Sequence, residues 1–443
     1  MVWSYFHHYH LRSSSLRVVK TEADIVSSVQ NAIASKSRIR AMGSLYTFVN
    51  VVQPTPSHSP TGQDIILDMR EYNQVLKVDK ENCRITLANC GNVNGQTIGG
   101  VISTDTHGES VHRGGFSSFV KTLRIVDGFG AVRVVDFENE SAEKQAFGCS
   151  LGLLGVVSNV ELKCVPLFVL KRIETRKRFD WVLENWDELH KSSDYLELSW
   201  IPILDTVIVA QSFKLSQDAA QDHAELEHPI KRPAATPNYP GIVFPLLTFL
   251  LWLCQLLCTF SYGRKAAAWI ASTVYETKKP FTKVYISYAS DAISDKQRLP
   301  LPHHEMELQI PFKDSKTAII ALRDWFNENP SQKHAFLIDL RSGKGNQFFL
   351  SGAYGQDTLF MDFLEPKPKF LQTDYYERVT LLLKDKVVSK RHWGKISLMT
   401  KEDVEHVYGE QLVAFKKIPA EFDPYGLFRN PYYDQYFYDH MEV

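Results

Sequence analysis

Apolar residues recur at helical spacing in some parts of the chain and form short runs in others. Ile25, Val29 and Ile33 follow the capping signal that begins at Thr21, so residues 21–33 are predicted to form an amphipathic helix. Short runs of β-branched and other apolar residues between Gly, Pro and Ser are typical of strands. Such runs predict strands at Arg38–Met42, Asp64–Met69, Ile85–Asn89, Thr122–Asp127 and Val132–Phe137, and a passage from helix to strand at Cys149–Pro166.

The pattern changes after residue 166, where these elements are predicted to complete an α+β domain. Gln217–Pro240 is polar and interrupted by prolines, which is typical of an exposed excursion. Helices and strands occur on both sides of this excursion. The predicted helices are Phe179–Ser192, a helix capped by Asp314 and Tyr375–Val388, and the predicted strands are Glu305–Ile310 and Lys333–Arg341.

One segment interrupts this soluble pattern. Gly241–Tyr262 contains no charged residue, and Arg264 and Lys265 follow it directly. Such a run is long enough to cross a hydrocarbon core of about 30 Å. Three interpretations therefore remain open: a buried helix, an interfacial hairpin broken at Pro245, and a membrane span.

Composition excludes several classes of protein. In 443 residues, 50 Lys and Arg balance 51 Asp and Glu, so no strong net charge attracts nucleic acid. A hydrophobic content of 44% is that of a globular chain rather than a disordered one. The six cysteines are too few for a disulfide framework, and Cys254 and Cys258 lie in the apolar run, which favours buried thiols over a metal site. The N-terminal residues lack the apolar run of a secretory signal.

Two segments carry charged residues that could take part in chemistry. In the predicted strand around residue 339, Asp339 and Arg341 share one face, whereas Ile338 and Leu340 share the other. The pair is either an ion pair on a sheet surface or the polar lining of a substrate pocket. Lys395, in the loop Arg391–Lys395, is either solvated or directed at developing negative charge.

A third segment is rich in glycine. Gly99–Gly108 contains Ser103, Thr104 and Thr106 among small residues, which would let backbone N–H groups approach phosphate oxygens. No Walker A motif or dinucleotide fingerprint is present. The segment is therefore either a phosphate-binding loop or a simple glycine-rich turn, and His107 within it is either a cofactor contact or a structural residue.

Taken together, these segments resemble the flavin-dependent aldonolactone oxidases, which include gulonolactone and D-arabinono-1,4-lactone oxidases, and their alditol oxidase relatives among the vanillyl-alcohol-oxidase-type flavoproteins. The resemblance covers nearly the whole chain, in order. The segments that carry it are Thr21–Ile33, Ile65–Asp79, Gln96–Gly108, Ser150–Val157, Met306–Pro311, Ile338–Arg341, Ser351–Gly355, His392–Lys395 and Asp423–Asn430.

This resemblance implies an α+β fold with a two-subdomain FAD-binding domain of the PCMH type (residues 1–166). A cap domain with a mixed or antiparallel sheet flanked by helices (167–396) and a C-terminal return to the first domain (397–443) would follow. FAD would accept hydride at N5, Asp339 would bind substrate hydroxyls, Arg341 would steady charge, and Lys395 would stabilise the reduced flavin. Cofactor contacts are implied for Gly43, Ser44, Tyr46, Thr47, Gln96, Gly100, Ser103, Thr104, Thr106, His107, Gly108, Gly155, Val156 and His392.

Three departures from the family pattern stand out. The family commonly has Gly-Ser-Gly-His-Ser where this chain has Gly43-Ser-Leu-Tyr-Thr47, so Tyr46 replaces the histidine that bonds covalently to flavin, and FAD is expected to be noncovalent. The family has about twenty residues between the strand that ends near Gly91 and the loop at Gln96, where this chain has only Asn92–Gly95. The family acid is usually Glu, whereas Asp339 is shorter by one methylene group.

The resemblance also bears on partners and location. It implies a sugar-lactone or polyol substrate, with oxygen or a cytochrome as the electron acceptor and ascorbate or an analogue as the product. Animal gulonolactone oxidases are membrane-associated, which implies association through residues 241–262 on an intracellular membrane of the endoplasmic reticulum or mitochondrion. No metal or nucleic-acid partner is predicted. An alditol oxidase and a catalytically silent relative with a degraded flavin site remain the alternatives.

Overall fold

The secondary structure follows an α+β order along the chain. A computed structural model describes residues 3–4, 8–11, 15–57, 63–78, 85–91, 93, 95–216, 243–275, 282–289, 303–333, 335–366 and 374–438. The α-helices are α1 Glu22–Ser35, α2 Ile98–Ser103, α3 Ala142–Phe147, α4 Phe179–Glu184, α5 Trp186–Ser192, α6 Val243–Cys258, α7 Arg264–Val274, α8 Ser315–Glu328, α9 Tyr375–Lys384, α10 Lys401–Phe415, α11 Pro419–Phe422 and α12 Pro431–Phe437. The strands are β1 Ser15–Val18, β2 Ile39–Met42, β3 Ile65–Asp68, β4 Ile85–Thr86, β5 Val120–Val126, β6 Val132–Asp136, β7 Val156–Leu162, β8 Val165–Pro166, β9 Val169–Arg178, β10 Tyr195–Ile201, β11 Thr206–Lys214, β12 Thr282–Tyr288, β13 His303–Pro311, β14 Ile338–Gly343, β15 Thr358–Pro366 and β16 Lys390–Arg391.

The strands form separate sheets in the two halves of the chain. Near the N-terminus, β1-β3-β2 is a parallel sheet and β6-β5-β7 is an antiparallel one. The later strands form one antiparallel sheet in the order β12-β9-β11-β10-β14-β15-β13-β16. The predicted α+β class, with a mixed or antiparallel second sheet, is confirmed.

Several sequence predictions are confirmed in detail. Helix α1 begins with the predicted capping box, in which Thr21 and Asp24 satisfy each other's backbone N–H groups. Cys254 and Cys258 are buried thiols. Asp314 precedes α8 as predicted, but its side chain makes no capping hydrogen bond.

Other predictions are wrong, each for a local reason. Residues 149–155 are turns rather than a helix, since Leu151, Gly152 and Gly155 all have positive φ angles. The strand predicted at Lys333–Arg341 begins only at Ile338, after the 3-10 turn Pro330–Gln332. The helix predicted to end at Val388 ends at Lys384. The glycine-rich segment is helical at Ile98–Ser103 rather than a loop throughout.

The excursion predicted at Gln217–Pro240 lies outside the described residues.

The apolar run forms helix α6 over residues 243–258, and α7 follows the run from Arg264, so that the two helices form a pair. Pro245 is the third residue of α6, in the first turn where proline is tolerated, so the predicted break there is wrong. The chain reverses instead between Cys258 and Arg264. Within the described residues, no helix combines the length and apolar character needed to cross a membrane. One side of the pair is buried in a small core that contains Leu251, Cys254, Cys258, Ala267, Ala271, Ala335, Phe336 and Leu364.

The C-terminal residues return to the N-terminal sheets. Leu427 and Phe428 belong to the same core as α1 and β3 residues, and the Ile39 N–H donates to the Leu427 carbonyl at 2.8 Å. Arg40 joins these segments from a buried position. Its Nη1 donates to the carbonyls of Gly152 (2.7 Å) and Phe428 (2.8 Å), and its Nη2 donates to those of Val51 (2.7 Å) and Leu151 (2.9 Å).

Removal of the Arg40 guanidinium group is expected to destabilise the protein strongly. Arg40→Met would leave four carbonyl groups without this donor, so we expect the free energy of unfolding to fall by about 3 kcal/mol or more. Chemical denaturation measures this loss. The matched control is Arg378→Met, at an exposed helical arginine, with an expected change within about 0.5 kcal/mol. Equal stability of the two variants would contradict the role of Arg40.

Candidate active site

A row of polar side chains crosses four strands of the large sheet at one level. Backbone register pairs Ser199 of β10 with Asp339 of β14, and Asp339 with Asp362 of β15. On the far side, Asp362 pairs with Glu307 of β13. Neighbouring residues point to the other face, because side chains alternate along a strand. That opposite face is buried among helices and consists of Leu198, Trp200, Ile338, Leu340, Met361, Phe363, Met306 and Leu308.

This arrangement confirms that Asp339 and Arg341 share a polar face backed by apolar residues. The Ser199 hydroxyl donates to Asp339 Oδ1 at 2.5 Å. The Arg341 side chain is only 10% exposed, and its Nη2 is paired with Asp362 Oδ2. Burial would lower the pKa of Arg341, but Asp362 and the other nearby carboxylates outweigh burial and raise it, so the arginine stays charged.

Lys395 reaches this row from the loop that follows β16. Its Nζ lies 2.5 Å from Glu305 Oε1, 2.6 Å from Glu307 Oε2 and 2.5 Å from Asp362 Oδ1. Burial opposes the charge, but the three carboxylates raise the pKa of Lys395 overall. Lys395 is thus a buried cation shared by two strands. We call Glu305, Glu307, Asp339, Arg341, Asp362 and Lys395 the charged floor.

Two histidines lie beside the charged floor. The His107 ring stacks on Phe360 with the ring centroids 3.5 Å apart, and its Nε2 lies 3.1 Å from Glu307 Oε1. His392 Nδ1 accepts a hydrogen bond from the Gly394 N–H at 3.1 Å. Burial lowers the pKa of His107 and lowers that of His392 to about 4, so both rings are neutral near pH 7.

The charged floor lines a cavity of about 1320 Å³. This volume exceeds the roughly 300–1,000 Å³ typical of small-molecule sites, and so leaves room for a large ligand together with a second, smaller one. Val156 and Gly108 are not part of its wall: Val156 is a core residue of β7, and Gly108 packs against Asn89. The other residues proposed from sequence that line the cavity are Gly43, Ser44, Tyr46, Thr47, Gln96, Gly100, Ser103, Thr104, Thr106, His107, Gly155 and His392.

The loop at residues 43–47 keeps a glycine-like backbone despite its substitution. Leu45 has a φ of 58°, in the left-handed region that favours glycine, and its side chain belongs to the buried core. Beside it, the Tyr46 hydroxyl group packs so closely on Gly95 that a Cβ atom there would lie 2.8 Å from it. The hydroxyl groups of Thr47 and Tyr9 form a hydrogen bond, with 2.7 Å between the two oxygens. Contacts of Leu45, Tyr46 and Thr47 with the surrounding residues therefore fix the conformation of this loop.

The glycine-rich segment contributes a second wall. Helix α2 exposes Gly99 and Gly100 to the cavity, whereas the hydroxyls of Ser103 and Thr104 donate to the carbonyls of those glycines at 2.7 and 3.2 Å. The cavity wall also includes exposed apolar residues, of which Val75 is 80% and Leu76 72% exposed. This wall thus offers backbone, hydroxyl oxygens and apolar surface to a ligand.

Sequence reasoning missed three acids of the charged floor. Glu305 and Glu307 lie two residues apart in β13, and Asp362 lies in the strand paired with it. The alternation of acids with apolar residues in His303–Pro311 was the available signal, because it predicts a polar face for this strand. No local signal in the sequence brings that face next to Lys395.

Comparison with known proteins identifies the chain's relatives. A family model described as D-arabinono-1,4-lactone oxidase matches residues 160–436. The chain belongs to the D-arabinono-1,4-lactone oxidase family. It is therefore assigned to a family of oxidoreductases, as the resemblance implied.

Individual relatives agree with this family. L-gulonolactone oxidase of Mus musculus is 26% identical over 414 residues, which cover 87% of this chain and 88% of the relative. L-gulono-1,4-lactone dehydrogenase of Mycobacterium tuberculosis (strain ATCC 25618 / H37Rv) is 25% identical and covers 93% of each chain. Among solved structures, the crystal structure of cholesterol oxidase from B. sterolicum is similar in fold, with a TM-score of 0.76, 12% identity and coverage of 98% of this chain and 96% of that one.

The left-handed backbone at Leu45 generates a stability prediction. Leu45→Ala and Leu45→Gly both remove a buried side chain, at a cost of about 2–5 kcal/mol. Only the glycine variant also relieves the left-handed strain of about 1–2 kcal/mol. We therefore expect Leu45→Gly to be more stable than Leu45→Ala by about 1 kcal/mol in chemical denaturation. At the control position Leu123, within strand β5, the order should reverse, with glycine less stable than alanine. The same order at both positions would argue against strain at Leu45.

Proposed function

We propose that this protein is an FAD-dependent enzyme that oxidises a sugar 1,4-lactone at a CH–OH group. The observation that carries the proposal is a large cavity in a chain of the D-arabinono-1,4-lactone oxidase family. In its wall, the segments proposed to hold the cofactor meet Asp339, Arg341 and Lys395. The names of the relatives, oxidases and dehydrogenases of aldonolactones, favour this substrate class.

The residues present fit FAD. The cavity is large enough for a dinucleotide and a small substrate, and its wall near Gly43 and Gly100 has little side-chain bulk to hold phosphates away from the backbone. The Leu45 side chain is taken up by the core. When bound, FAD would supply the two-electron acceptor for a hydride. Because Tyr46 stands at the histidine position, we propose that the cofactor is held noncovalently.

The charged floor suits a neutral polyhydroxy lactone. Carboxylate oxygens of Asp339 and Glu305 would accept hydrogen bonds from substrate hydroxyl groups, and Arg341 would donate to the ring or carbonyl oxygen. Loss of a hydride from the carbon next to the lactone carbonyl, and of a proton from the hydroxyl group on that carbon, would give a 2-oxo lactone, whose enediol form is ascorbate or an analogue. L-Gulono-, L-galactono- and D-arabinono-lactones are all of this type. Oxygen or a cytochrome would then take the electrons.

Substitution of Arg341 tests this function directly. Purified protein should show a flavin absorption band, release the flavin to the supernatant on acid precipitation and reduce a dye with an aldono-1,4-lactone. Arg341→Met is expected to lower kcat/KM by about 100-fold or more while the flavin stays bound, because one fixed cation is lost from the site. Lys344→Met, at an exposed lysine of the following loop, is the control and should leave kcat/KM unchanged. Protein that takes up no flavin even after FAD addition would refute the proposal.

The helix pair α6–α7 supports a second proposal, that the protein associates with an intracellular membrane. Leu246 and Phe249 are 53% and 54% exposed on α6, and Trp269 is 62% exposed on α7. Arg264 and Lys265 lie at the start of α7. Exposed aliphatic and aromatic side chains beside basic residues are typical of an interfacial anchor. The membrane itself, of the endoplasmic reticulum or mitochondrion, is proposed on the family resemblance.

Vesicle binding tests this association. The triple variant Leu246→Ser, Phe249→Ser and Trp269→Ser should lose flotation with anionic phospholipid vesicles, because it removes the exposed apolar surface of the helix pair. The control removes exposed apolar residues elsewhere, Leu381→Ser and Val413→Ser, and should float like the unmodified protein. Absence of flotation by the unmodified protein would contradict the proposal without affecting the enzymatic one.

A further inference from the structure

We propose that Asp362, paired with Glu305, receives the proton that leaves the substrate hydroxyl group during oxidation. This inference rests on the proposed lactone oxidation and assigns a proton acceptor within the same site. It concerns two residues that no sequence motif pointed to.

Asp362 occupies the centre of the charged floor. It lies on β15 between Asp339 of β14 and Glu307 of β13, and all three side chains line the cavity. Its Oδ1 accepts from Lys395 and its Oδ2 from Arg341. The side chains of Glu305 and Asp362 are also joined by a hydrogen bond. Two carboxyl groups joined in this way have a defined place for one proton between them.

The charges around Asp362 do not balance when every acid is ionised. Lys395 and Arg341 are the two cations of the charged floor, whereas its acids are Glu305, Glu307, Asp339 and Asp362. Buried charge without a counter-ion is costly, so uptake of a proton by one carboxylate is favourable. The ionised pair is therefore a base that faces the substrate cavity.

The neighbouring groups single out Asp362 as the acid that takes this proton. Burial, followed by repulsion from Glu305 and Glu307, raises the pKa of Asp362 well above its usual range. For Glu305 and Glu307 burial acts in the same direction, but Lys395 outweighs it, together with hydrogen bonds from His303 to Glu305 and from His107 to Glu307, and lowers the pKa of both.

The two cations and the buried histidines His107 and His392 are poor acceptors. Lys395 and Arg341 have raised pKa values and already hold their protons. Burial lowers the pKa of His107, which is hydrogen-bonded to Glu307, and that of His392, which lies in the same loop as Lys395, so neither ring readily takes up a proton. Asp339, on the β14 side of Asp362, is held by the Ser199 hydroxyl. The proton therefore goes to Asp362.

The step balances with the oxidant of the proposed function. With FAD bound as the two-electron acceptor, the substrate C–H bond would break and its hydrogen would leave with both electrons as hydride. The O–H bond breaks, its electron pair forms the new carbonyl π bond, and the proton is transferred to a carboxylate oxygen of Asp362. The proton then leaves to solvent before the next turnover.

The pH dependence of kcat/KM tests the proposal in the flavin-loaded enzyme. The base form of Asp362 exists only above its raised pKa, so kcat/KM should rise with pH and then level off. Asp362→Asn should lower the plateau by about 100-fold or more and remove the rising limb. Asp362→Glu should restore the limb. Asp357→Asn, which removes a surface carboxyl paired with Lys344 just before β15, is the control and should keep the unmodified profile.

A second measurement does not depend on turnover. The infrared carbonyl band of a buried carboxylic acid should be present below the limb without substrate, shift in deuterated water and be absent in Asp362→Asn. If that variant fails to fold, Glu305→Gln replaces it. Loss of the Glu305 charge removes repulsion from Asp362, so its pKa falls and the limb moves to lower pH.

The outcomes separate this inference from the proposed function. Three results would each overturn the assignment of Asp362. The rise of kcat/KM with pH could persist unchanged in Asp362→Asn, or it could stay at the same pH in Glu305→Gln. The infrared band of the carboxylic acid could also persist in Asp362→Asn. If the unmodified protein oxidises no lactone, the proposed function fails and the proton transfer with it. The infrared band then still shows whether Asp362 holds the shared proton.

Discussion

The interaction on which the site depends is the contact of Lys395 with three carboxylates, of which Glu307 and Asp362 are buried and Glu305 is 15% exposed. Glu305, Glu307 and Asp362 occupy one face of two paired strands, where their mutual repulsion would separate the strands or drive proton uptake. Lys395 makes their proximity possible, since removal of one partner from a buried ion pair costs about 3–5 kcal/mol. The loop after β16 is therefore fixed to the sheet by electrostatics, and the cavity keeps a charged surface that a purely apolar core could not provide.

The large sheet separates this polar chemistry from the core by alternation alone. Each strand of the row places acids and bases on the cavity side and large apolar residues on the helix side. A shift of one residue in the pairing of β14 with β15 would move Asp339 and Arg341 into the apolar core and Ile338 into the cavity. The hydrophobic face thus determines the register, and the register determines which charged groups meet.

The sequence was sufficient for local features and insufficient for contacts between distant strands. Alternation correctly placed Asp339 and Arg341 on one face, and the capping signal at Thr21 correctly began α1. Periodicity did not reveal that Glu307 and Asp362 lie side by side, because pairing of β13 with β15 joins residues 55 positions apart. The turns at residues 149–155 were missed for another reason: positive φ at Leu151 is imposed by its surroundings, whereas its residue type favours a helix.

The charge balance of the floor also bears on which form of a sugar acid the cavity accepts. Four carboxylates face two cations, so a substrate with its own negative charge would add to an excess that is already buried. An aldonate, the ring-opened acid, carries such a charge, whereas the corresponding lactone has its carboxyl group closed as a neutral ester. A neutral lactone can accept hydrogen bonds from Arg341 and donate its hydroxyls to Asp339 without adding charge. On the proposed function, the same excess of acids would therefore favour the lactone over the free acid.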